Sequence, residues 1–364
     1  MSGAERLLRR ALEVARRGAG TTSPNPMVGA LVVHGGEVIA EGYHRKAGEE
    51  HAEEVALARA AARSKGADLY VTLEPCAHQG RRPPCTQAIL RSGVRRVFAC
   101  IQDPNPLVNG KGFERLKQAG VEVSWGFLEE EARRLNEAYL KWIVCGRPFV
   151  ILKAAVSLDG RIADAGGSSR WISGEEARSE VQRLRFETDA VLVGVGTALA
   201  DNPALGVREP QPHKPLLKVV LDSNLRLPPS ARLLEPSGGD QVLIYACAGA
   251  DAGRAEALRA AGAQVVQVGA VAGRPSLAEV LDDLGRREVL HLLCEGGTET
   301  FTSFLAQGLA DKVHLFVAPK ILGADALPLA GALDRKLQCC IALETTEVRR
   351  IGPDVWIEAY LRGD

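Results

Sequence analysis

Hydrophobic and polar positions divide the first part of the chain into alternating helices and strands. An amphipathic helix is predicted over residues 4–18, with Leu8 and Leu12 on its apolar face and arginines on the others. Apolar runs joined by His34-Gly35-Gly36 predict a β-hairpin. Further helices are predicted at 49–63, 86–91, 112–119 and 129–144, and strands at 28–33, 37–41, 69–73, 94–101 and 121–125. Such alternation indicates an α/β sandwich.

A domain boundary is predicted where Gly146 and Pro148 interrupt this pattern, which gives domains 1–146 and 147–364. The second domain opens with a strand at 149–155 and again alternates. Its helices are predicted at 174–186, 251–261, 276–285 and 298–307, and its strands at 190–195, 216–221, 241–245, 263–268 and 289–294. Three last strands, at 312–318, 340–348 and 354–361, are expected to form an antiparallel extension.

Composition restricts the function classes. A chain of 364 residues with 46% hydrophobic residues can build two cores. Basic and acidic residues number 45 each, so a duplex or tRNA binder is disfavoured and a small-molecule partner is expected. The eight cysteines form no dense framework, and the apolar runs are too short to span a membrane, which predicts a reduced, cytoplasmic protein without a membrane partner. The sequence allows a homo-oligomer without indicating one.

One short stretch combines the residues of a hydrolytic zinc site. It contains His51-Ala52-Glu53, Glu74-Pro75-Cys76 and Pro84-Cys85. A catalytic zinc takes three protein ligands and leaves one position open, while a nearby carboxylate moves protons. His51, Cys76 and Cys85 are the predicted ligands and Glu53 the predicted general base and acid. Zinc deaminases that act on nucleobases present the same order of residues.

Other interpretations of this stretch remain open at the level of sequence. A structural zinc could take His78 as a fourth ligand, or the side chains could be unrelated. Eight residues separate Cys76 from Cys85, whereas nucleoside and tRNA deaminases usually have two. This insert holds His78, Arg81, Arg82 and two prolines, which suits a phosphorylated substrate but also a solvated basic loop. The competing functions are a tRNA- or ssDNA-editing deaminase and a non-catalytic zinc scaffold.

The second domain has two glycine-containing turns that follow strands. Val193-Gly194-Val195-Gly196-Thr197 lacks the third glycine of a dinucleotide fingerprint, so a standard Rossmann site is disfavoured. Glu295-Gly296-Gly297-Thr298 ends a strand and opens a helix, where backbone N–H groups can bind a phosphate. The alternative is an ordinary strand-to-helix turn.

Longer motifs over nearly the whole chain closely resemble the bifunctional riboflavin-biosynthesis deaminase-reductase family. The first half contributes Ser23-Pro24-Asn25-Pro26-Met27-Val28-Gly29, His44-x-x-Ala47-Gly48-x-x-His51-Ala52-Glu53, Thr72-Leu73-Glu74-Pro75-Cys76-x-His78-x-Gly80-Arg81-x-Pro83-Pro84-Cys85 and Asp103-Pro104-Asn105-Pro106. The second half contributes Lys153-x-Ala155-x-Ser157-Leu158-Asp159-Gly160-Arg161, Ser169-x-Trp171-Ile172-Ser173, Gly196-Thr197-x-x-x-Asp201-Asn202-Pro203-x-Leu205-x-x-Arg208, Leu221-Asp222-Ser223, Glu295-Gly296-Gly297 and Ala318-Pro319-Lys320.

The resemblance implies a fold and two reactions. The fold is an N-terminal cytidine-deaminase-like α/β/α sandwich followed by a dihydrofolate-reductase-like α/β domain. The first reaction is zinc-dependent hydrolytic deamination of a diaminopyrimidinone ribotide. The second is NADPH-dependent reduction of its ribosyl group to a ribityl group.

The resemblance also implies the first set of site residues. In the deaminase half, the substrate would contact Asn25, His44, His78 and Arg81. From the residues alone, Asn25 would be a turn residue and His44 a surface histidine. Arg82 stands where the family usually has threonine.

In the reductase half, two further sets are implied. NADPH would contact Ala155, Trp171, Thr197, Asp201, Ser223, Gly297, Thr298, Glu299, Thr300, Phe301, Thr302 and Ser303. Substrate would contact Ser169, Arg185, Leu205, Arg208 and Glu295. Arg185 and Arg208 could clamp the ribose phosphate or act as surface ion-pair partners. Lys153 and Glu295 are the candidates for proton movement, although Lys153 could instead bind phosphate or be structural.

Overall fold

Each half of the chain folds around its own β-sheet. The structure is a computed structural model that describes residues 3–79, 82–208 and 214–361. The chain divides into two compact units, Met1–Gly146 and Arg147–Asp364. Within the described ranges, no helix has the length and apolar character needed to cross a membrane.

The sheet of the first unit has five strands in the order β2-β1-β3-β4-β5. They are β1 (Gly29–His34), β2 (Glu37–Tyr43), β3 (Asp68–Leu73), β4 (Arg96–Ile101) and β5 (Glu122–Trp125). Strand β1 is antiparallel to β2, which confirms the predicted hairpin, and also to β3. Strands β3, β4 and β5 are parallel. Five consecutive residues of β1 are buried, as expected for a strand covered on both faces.

In the described part of this unit, six α-helices flank the sheet. They are α1 (Gly3–Ala15), α2 (Ala52–Ala60), α3 (Cys85–Ser92), α4 (Lys111–Gln118), α5 (Glu129–Leu135) and α6 (Glu137–Cys145). Helices α2, α3 and α4 pack in sequence with one another, whereas α1 packs with α5. Helix α2 approaches β2 closely because Gly42 has no side chain: a Cβ there would lie 2.3 Å from the carbonyl oxygen of Ala52. The start of α2 is thereby held against the sheet.

Two predicted helices of this unit differ from the structure. Helix α2 begins at Ala52, not at residue 49, because His51 has an extended backbone and donates its N–H to the Glu54 carboxylate at 3.1 Å. The predicted helix 129–144 is two helices separated at Asn136. The Asn136 amide accepts from the N–H of Met27 and donates to its carbonyl, at 2.8 and 2.9 Å.

The second unit contains a nine-stranded sheet in the order β11-β10-β9-β8-β14-β6-β15-β18-β17. Its strands are β6 (Phe149–Ser157), β8 (Ala190–Gly194), β9 (Leu217–Leu221), β10 (Gln241–Cys247), β11 (Ala263–Val268), β14 (His291–Cys294), β15 (Lys312–Ala318), β17 (Leu343–Ile351) and β18 (Asp354–Leu361). Short strands β7 (Arg161–Ala163) and β16 (Leu327–Pro328) pair with each other, as do β12 (Ala270–Val271) and β13 (Arg274–Pro275). The helices are α7 (Glu175–Glu187), α8 (Val195–Asp201), α9 (Ala252–Ala260), α10 (Leu277–Arg286) and α11 (Thr298–Ala306).

The order and direction of the strands confirm part of the predicted topology. Strand β18 is antiparallel to both β15 and β17, which confirms the antiparallel extension, and β15 joins the rest of the sheet parallel to β6. The last-but-one strand begins at Leu343 and not at residue 340. Val195 does not end a strand but starts the unpredicted helix α8. Because the strands from β11 to β15 are parallel, the loops that follow β8, β9 and β14 meet at one edge of the sheet.

Candidate active sites

Three potential metal ligands converge in the first unit. The ligand atoms of His51, Cys76 and Cys85 all lie within 4.8 Å of one another. His51 Nδ1 is 3.1 Å from Cys85 Sγ and 3.8 Å from Cys76 Sγ. In the described part of the chain the cluster has these three members, and His78 does not join it. The arrangement therefore fits a three-ligand site with an open position better than a closed structural site.

The elements that carry the three ligands differ slightly from the sequence prediction. His51 precedes α2 as its N-cap residue, Cys85 is the first residue of α3, and Cys76 follows the end of β3 by three residues. The N–H of Cys85 donates to Cys76 Sγ at 3.3 Å, and this favours thiolate at Cys76. The pKa of Cys76 is lowered to about 4, first by the hydrogen bond from the Cys85 thiol and also by His51.

A zinc ion suits this set of donor atoms. Zinc binds thiolate at about 2.3 Å and imidazole at about 2.0 Å, so neighbouring ligand atoms of a tetrahedral site lie roughly 3.5–3.8 Å apart. The separations from His51 Nδ1 to the two sulfur atoms are close to that range. Two sulfurs and one imidazole nitrogen also belong to the ligand types that zinc prefers.

Glu53 lies in the first turn of α2 and is 3% exposed. Burial raises its pKa to about 7, and the nearby His51 charge only partly opposes that effect. A carboxylate whose pKa is close to neutrality can both accept and return a proton. These properties agree with the predicted role of Glu53.

Two other acidic residues of the recognised motifs serve the architecture of the site. The buried Glu74 carboxylate accepts backbone N–H groups from Asp103, Gly110, Gly112 and Phe113 at 2.9–3.3 Å. Asp103 in turn accepts the Tyr139 hydroxyl at 3.1 Å. Glu74 therefore fixes the chain just before Cys76 against the start of α4. Sequence reasoning treated both acids only as parts of motifs.

Asn25 and His44 lie together beside the metal ligands. The Asn25 amide donates to His44 Nε2 at 3.0 Å, while His44 Nδ1 donates to the carbonyl of Glu50 at 3.0 Å. The rings of His44 and His51 meet edge to face with centroids 5.4 Å apart. His44 is 2% exposed, so the surface-histidine interpretation is wrong. Burial lowers the pKa of His44 and favours the neutral ring.

The insert between the two cysteines is described in part. Arg81, a predicted substrate contact, lies outside the described residues. His78 Nδ1 is buried without a hydrogen-bond partner among the residues described, so it can bind a ligand. Arg82 pairs with Glu50 and Glu54, each at 3.4 Å.

A cavity of about 1340 Å³ opens at the carboxyl edge of the second sheet. Nearly all residues predicted to bind NADPH or substrate in this unit line it; they are Lys153, Ala155, Ser169, Trp171, Arg185, Thr197, Asp201, Leu205, Arg208, Ser223, Glu295, Gly297, Thr298, Glu299, Thr300, Phe301 and Ser303. Thr302 is the exception, since its hydroxyl donates to the Thr298 carbonyl and accepts the N–H of Gly331. Arg226 and Arg232, which are not among the predicted site residues, also line the cavity.

Glu295 connects two cations at the wall of this cavity. Its carboxylate binds the Arg185 guanidinium through two nitrogens and lies 3.3 Å from Lys153 Nζ. Arg185 also donates to the carbonyl of Gly206 at 3.1 Å. Burial alone would raise the pKa of Glu295, but Arg185 and Lys153 outweigh it and hold the pKa at about 2. Arg185 is thus an interior ion-pair partner; its predicted phosphate contact stays a prediction.

The glycine turn after β14 leads directly into α11. Gly296 and Gly297 have φ values of 117° and 92°, which glycine tolerates and other residues rarely adopt. A Cβ on Gly297 would also lie 2.9 Å from the Thr197 hydroxyl at the start of α8. Two helix starts therefore approach closely at the cavity, where their N–H groups can face an anion.

Asp222 does not line the cavity, as the ribose-binding carboxylate of a Rossmann site would. It is fully buried, and its Oδ2 accepts the N–H of Leu227 at 2.8 Å. Ser223 and Arg226 follow it at the cavity wall. The sequence-based rejection of a standard Rossmann site agrees with this arrangement.

Comparisons with known proteins match both units. The family model described as "Cytidine and deoxycytidylate deaminase zinc-binding region" matches residues 1–101, and the model described as "RibD C-terminal domain" matches residues 148–357. These matches confirm the predicted fold class.

Curated relatives and solved structures match over nearly the full length. Proteins named riboflavin biosynthesis protein RibD are 43% identical in Aquifex aeolicus, over 95% of both chains, and 40% identical in Escherichia coli, over 96% of this chain and 97% of the relative. The structure of Acinetobacter baumannii RibD has a TM-score of 0.89 at 36% identity and 99% coverage of both chains. A diaminohydroxyphosphoribosylaminopyrimidine deaminase/5-amino-6-(5-phosphoribosylamino)uracil reductase from Thermotoga maritima has a TM-score of 0.86 at 34% identity, with the same coverage.

Proposed function

Since the chain belongs to the RibD family of riboflavin-biosynthesis deaminase-reductases, we propose that Met1–Gly146 carries its deaminase and Arg147–Asp364 its reductase. The convergence of His51, Cys76 and Cys85 beside buried Glu53 is the observation that carries the first assignment. The cavity that contains Lys153 and Glu295 supports the second. We further propose a cytoplasmic location and a phosphorylated pyrimidine as substrate.

The first substrate proposed is a diaminopyrimidinone ribotide. Asn25 and His44 form a hydrogen-bonded pair next to His51, and His78 offers a ring nitrogen that has no hydrogen-bond partner among the described residues. Such groups can bind the polar edge of a pyrimidine. The name of the Thermotoga maritima relative includes deamination of a phosphoribosylaminopyrimidine, which is the same chemical class.

The proposed deamination depends on zinc ligands and one proton carrier. His51, Cys76 and Cys85 would hold zinc, which when bound supplies Lewis acidity and lowers the pKa of water toward 7. Glu53 would accept a proton from the attacking water and return it to the departing amino group, which leaves as ammonia. Because its pKa is raised to about 7, Glu53 can perform both transfers near neutral pH.

The cavity of the second unit supports binding of two ligands at once. Its volume of about 1340 Å³ exceeds the roughly 300–1,000 Å³ of a typical single-ligand pocket. We place NADPH along the starts of α8 and α11, where Thr197 and Gly297 meet, and the ribotide near Arg208. When bound, NADPH supplies the hydride that reduces the first carbon of the opened ribose.

Lys153 is the better candidate for proton supply in the reduction. Glu295 remains ionised at neutral pH because Arg185 and Lys153 hold its pKa at about 2. It therefore cannot donate a proton but can keep the Lys153 ammonium in place at 3.3 Å. Lys153 would then deliver a proton to the substrate as hydride arrives.

One assay tests both halves. Zinc-loaded protein is incubated with the ribotide and NADPH, and ammonia release and NADPH oxidation are followed separately. We expect ammonia to appear first and oxidation to depend on it. Ammonia without oxidation would contradict the reductase assignment, and no ammonia would contradict the deaminase assignment.

A further inference from the structure

The three zinc ligands come from two separate pieces of the chain. His51 lies in the segment 49–54, here called the His51 turn, whereas Cys76 and Cys85 lie at the two ends of the insert 77–84. Each piece is stabilised by hydrogen bonds of its own; for example, the N–H of Thr86 donates to the Cys76 carbonyl at 3.1 Å. To retain a metal, the two pieces must also keep their positions relative to each other.

Arg82 connects the two pieces. Its Nη2 lies 3.4 Å from Glu50 Oε1, and its Nε lies 3.4 Å from Glu54 Oε2. The Arg82 side chain is 31% exposed and that of Glu54 is 17% exposed, so solvent screens their pair only in part. An uncharged side chain such as threonine at this position could not make these ion pairs.

Both partners of Arg82 are hydrogen-bonded to residues of the site. Glu54 Oε2 also accepts the N–H of the ligand His51 at 3.1 Å. The carbonyl of Glu50 accepts from His44 Nδ1 at 3.0 Å. Apart from the ligand atoms themselves, Arg82 makes the only side-chain polar contacts between the insert and the His51 turn in the parts of both that are described.

Arg82 also changes the charge around the site. The His51 turn carries four carboxylates, at Glu49, Glu50, Glu53 and Glu54. An anionic phosphate that approaches this turn meets like charge, which is unfavourable. The Arg82 guanidinium pairs directly with two of these carboxylates and offsets one unit of their negative charge.

We propose that Arg82 is a positioning residue that holds the insert against the His51 turn, slows the loss of zinc and eases the approach of phosphorylated substrate. Only the substrate part rests on the proposed deaminase function. Arg82 acts through Glu50 and Glu54 and not on the reacting atoms.

Zinc release from the intact, zinc-loaded protein tests the proposal without any substrate. The rate is measured with an excess of a chromogenic chelator for wild type, Arg82→Gln, Arg82→Lys and Arg133→Gln. Arg133, which pairs with Glu129 on α5, serves as the matched control. Arg82→Gln should release zinc about three- to tenfold faster at low salt, since two partly screened ion pairs are lost. Arg82→Lys should fall between it and wild type.

A double-mutant cycle with Glu54 tests whether Arg82 affects zinc release through this residue. Glu54→Gln can still accept the N–H of His51 but loses the ion pair, so it should speed zinc release in the same direction. In the Glu54→Gln background, Arg82→Gln should increase the rate of zinc release by a smaller factor than it does in wild type. Full additivity of the two changes would overturn the proposed connection.

The kinetic part separates failure of this proposal from failure of the deaminase assignment. Arg82→Gln should raise the KM for the ribotide about three- to tenfold while kcat for ammonia release stays within about twofold. Equal zinc release from Arg82→Gln and Arg133→Gln would overturn the positioning role whatever the deaminase assay shows. Absence of ammonia from wild type would refute the proposed function, and zinc release would still decide the role of Arg82.

Discussion

The backbone N–H of Cys85 donates a hydrogen bond to the sulfur of Cys76 over 3.3 Å. The two thiols therefore lie close together although eight residues separate the cysteines in the sequence. Cys85 then opens α3, and the positive end of the helix dipole further favours negative charge on the neighbouring Cys76 sulfur. The hydrogen bond to Cys76 and burial raise the pKa of Cys85, so the negative charge of the pair resides on Cys76.

Removal of zinc should abolish only one of the two activities. Dialysis against a strong chelator should eliminate ammonia release, because His51, Cys76 and Cys85 would have no metal to present. NADPH oxidation, assayed with substrate that is already deaminated, should be unchanged, and added zinc should restore ammonia release. Deamination by a preparation with no measurable metal would contradict the zinc site.

Glu53→Gln should keep zinc but lose turnover. The amide preserves shape and burial but cannot accept a proton, so kcat for deamination should fall by about 10²–10⁴. Zinc content by elemental analysis and kcat are the measurements, with Glu122→Gln on exposed β5 as control. A normal deamination rate in Glu53→Gln would show that another group moves the proton.

Arg208→Ala should weaken binding of the phosphorylated substrate in the reductase. Arg208 lines the large cavity, and loss of a hydrogen bond from a charged group to phosphate costs about 1.5–3 kcal/mol, roughly a 10- to 100-fold rise in KM. The same variant tested on a substrate without the phosphate should differ little from wild type. Equal effects on both substrates would place Arg208 away from the phosphate.

Arg226→Ala should reduce the preference for NADPH over NADH. Arg226 stands beside Ser223 at the cavity wall, where buried Asp222 leaves no carboxylate to bind a free ribose hydroxyl. The KM for NADPH should rise about tenfold and that for NADH should remain the same, because one charge-assisted contact to the 2′-phosphate is lost. Arg286→Ala, on α10, is the control. Parallel changes for both cofactors would refute this role.

His314 should make the second unit less stable in mild acid. Burial lowers the pKa of His314 to about 4, against about 6.5 in the unfolded chain, and Trp356 donates to its Nδ1 at 3.1 Å. Because the folded state binds the proton less readily, the contribution of His314 to the free energy of unfolding is fully present above pH 6.5 and is lost as pH falls toward 4. Between pH 7.5 and 5 this loss amounts to about 2 kcal/mol.

The measurement for His314 is urea unfolding at these two pH values. His314→Gln retains an acceptor for Trp356 but does not titrate, so its stability should fall by about 2 kcal/mol less than that of wild type. His34→Gln, at the exposed end of β1, provides the comparison. An unchanged pH dependence in His314→Gln would show that His314 binds a proton as readily in the folded protein as in the unfolded chain.

Local motifs account for what could be predicted from the sequence. His51 and Glu53 are two residues apart, so one helix start positions both. In contrast, Glu74 takes its four N–H partners from residues 103–113, and no pattern around Glu74 indicates that distant chain. The ion pair of Arg185 could not be predicted either, because the sequence does not distinguish an arginine that binds phosphate from one that binds Glu295 inside the protein.

The break between α5 and α6 shows why periodicity alone is insufficient. Residues 129–144 have helical periodicity throughout, yet Asn136 leaves the helix to bind both backbone groups of Met27, 109 positions earlier. The gain of two hydrogen bonds to the backbone of Met27 outweighs the continuity of the helix. Such long-range compensation is not encoded in any short window of sequence.

The Asn136 contact also determines how the molecule can be divided. The match to the zinc-binding region of deaminases ends at residue 101, but Met27, two residues after Asn25, is hydrogen-bonded to Asn136, and Asp103 to Tyr139. A fragment cut after residue 101 would contain all three predicted zinc ligands and would lose the hydrogen bonds from Asn136 to Met27. A fragment that keeps both contacts must extend into α6, and the first compact unit ends just after that helix, at Gly146.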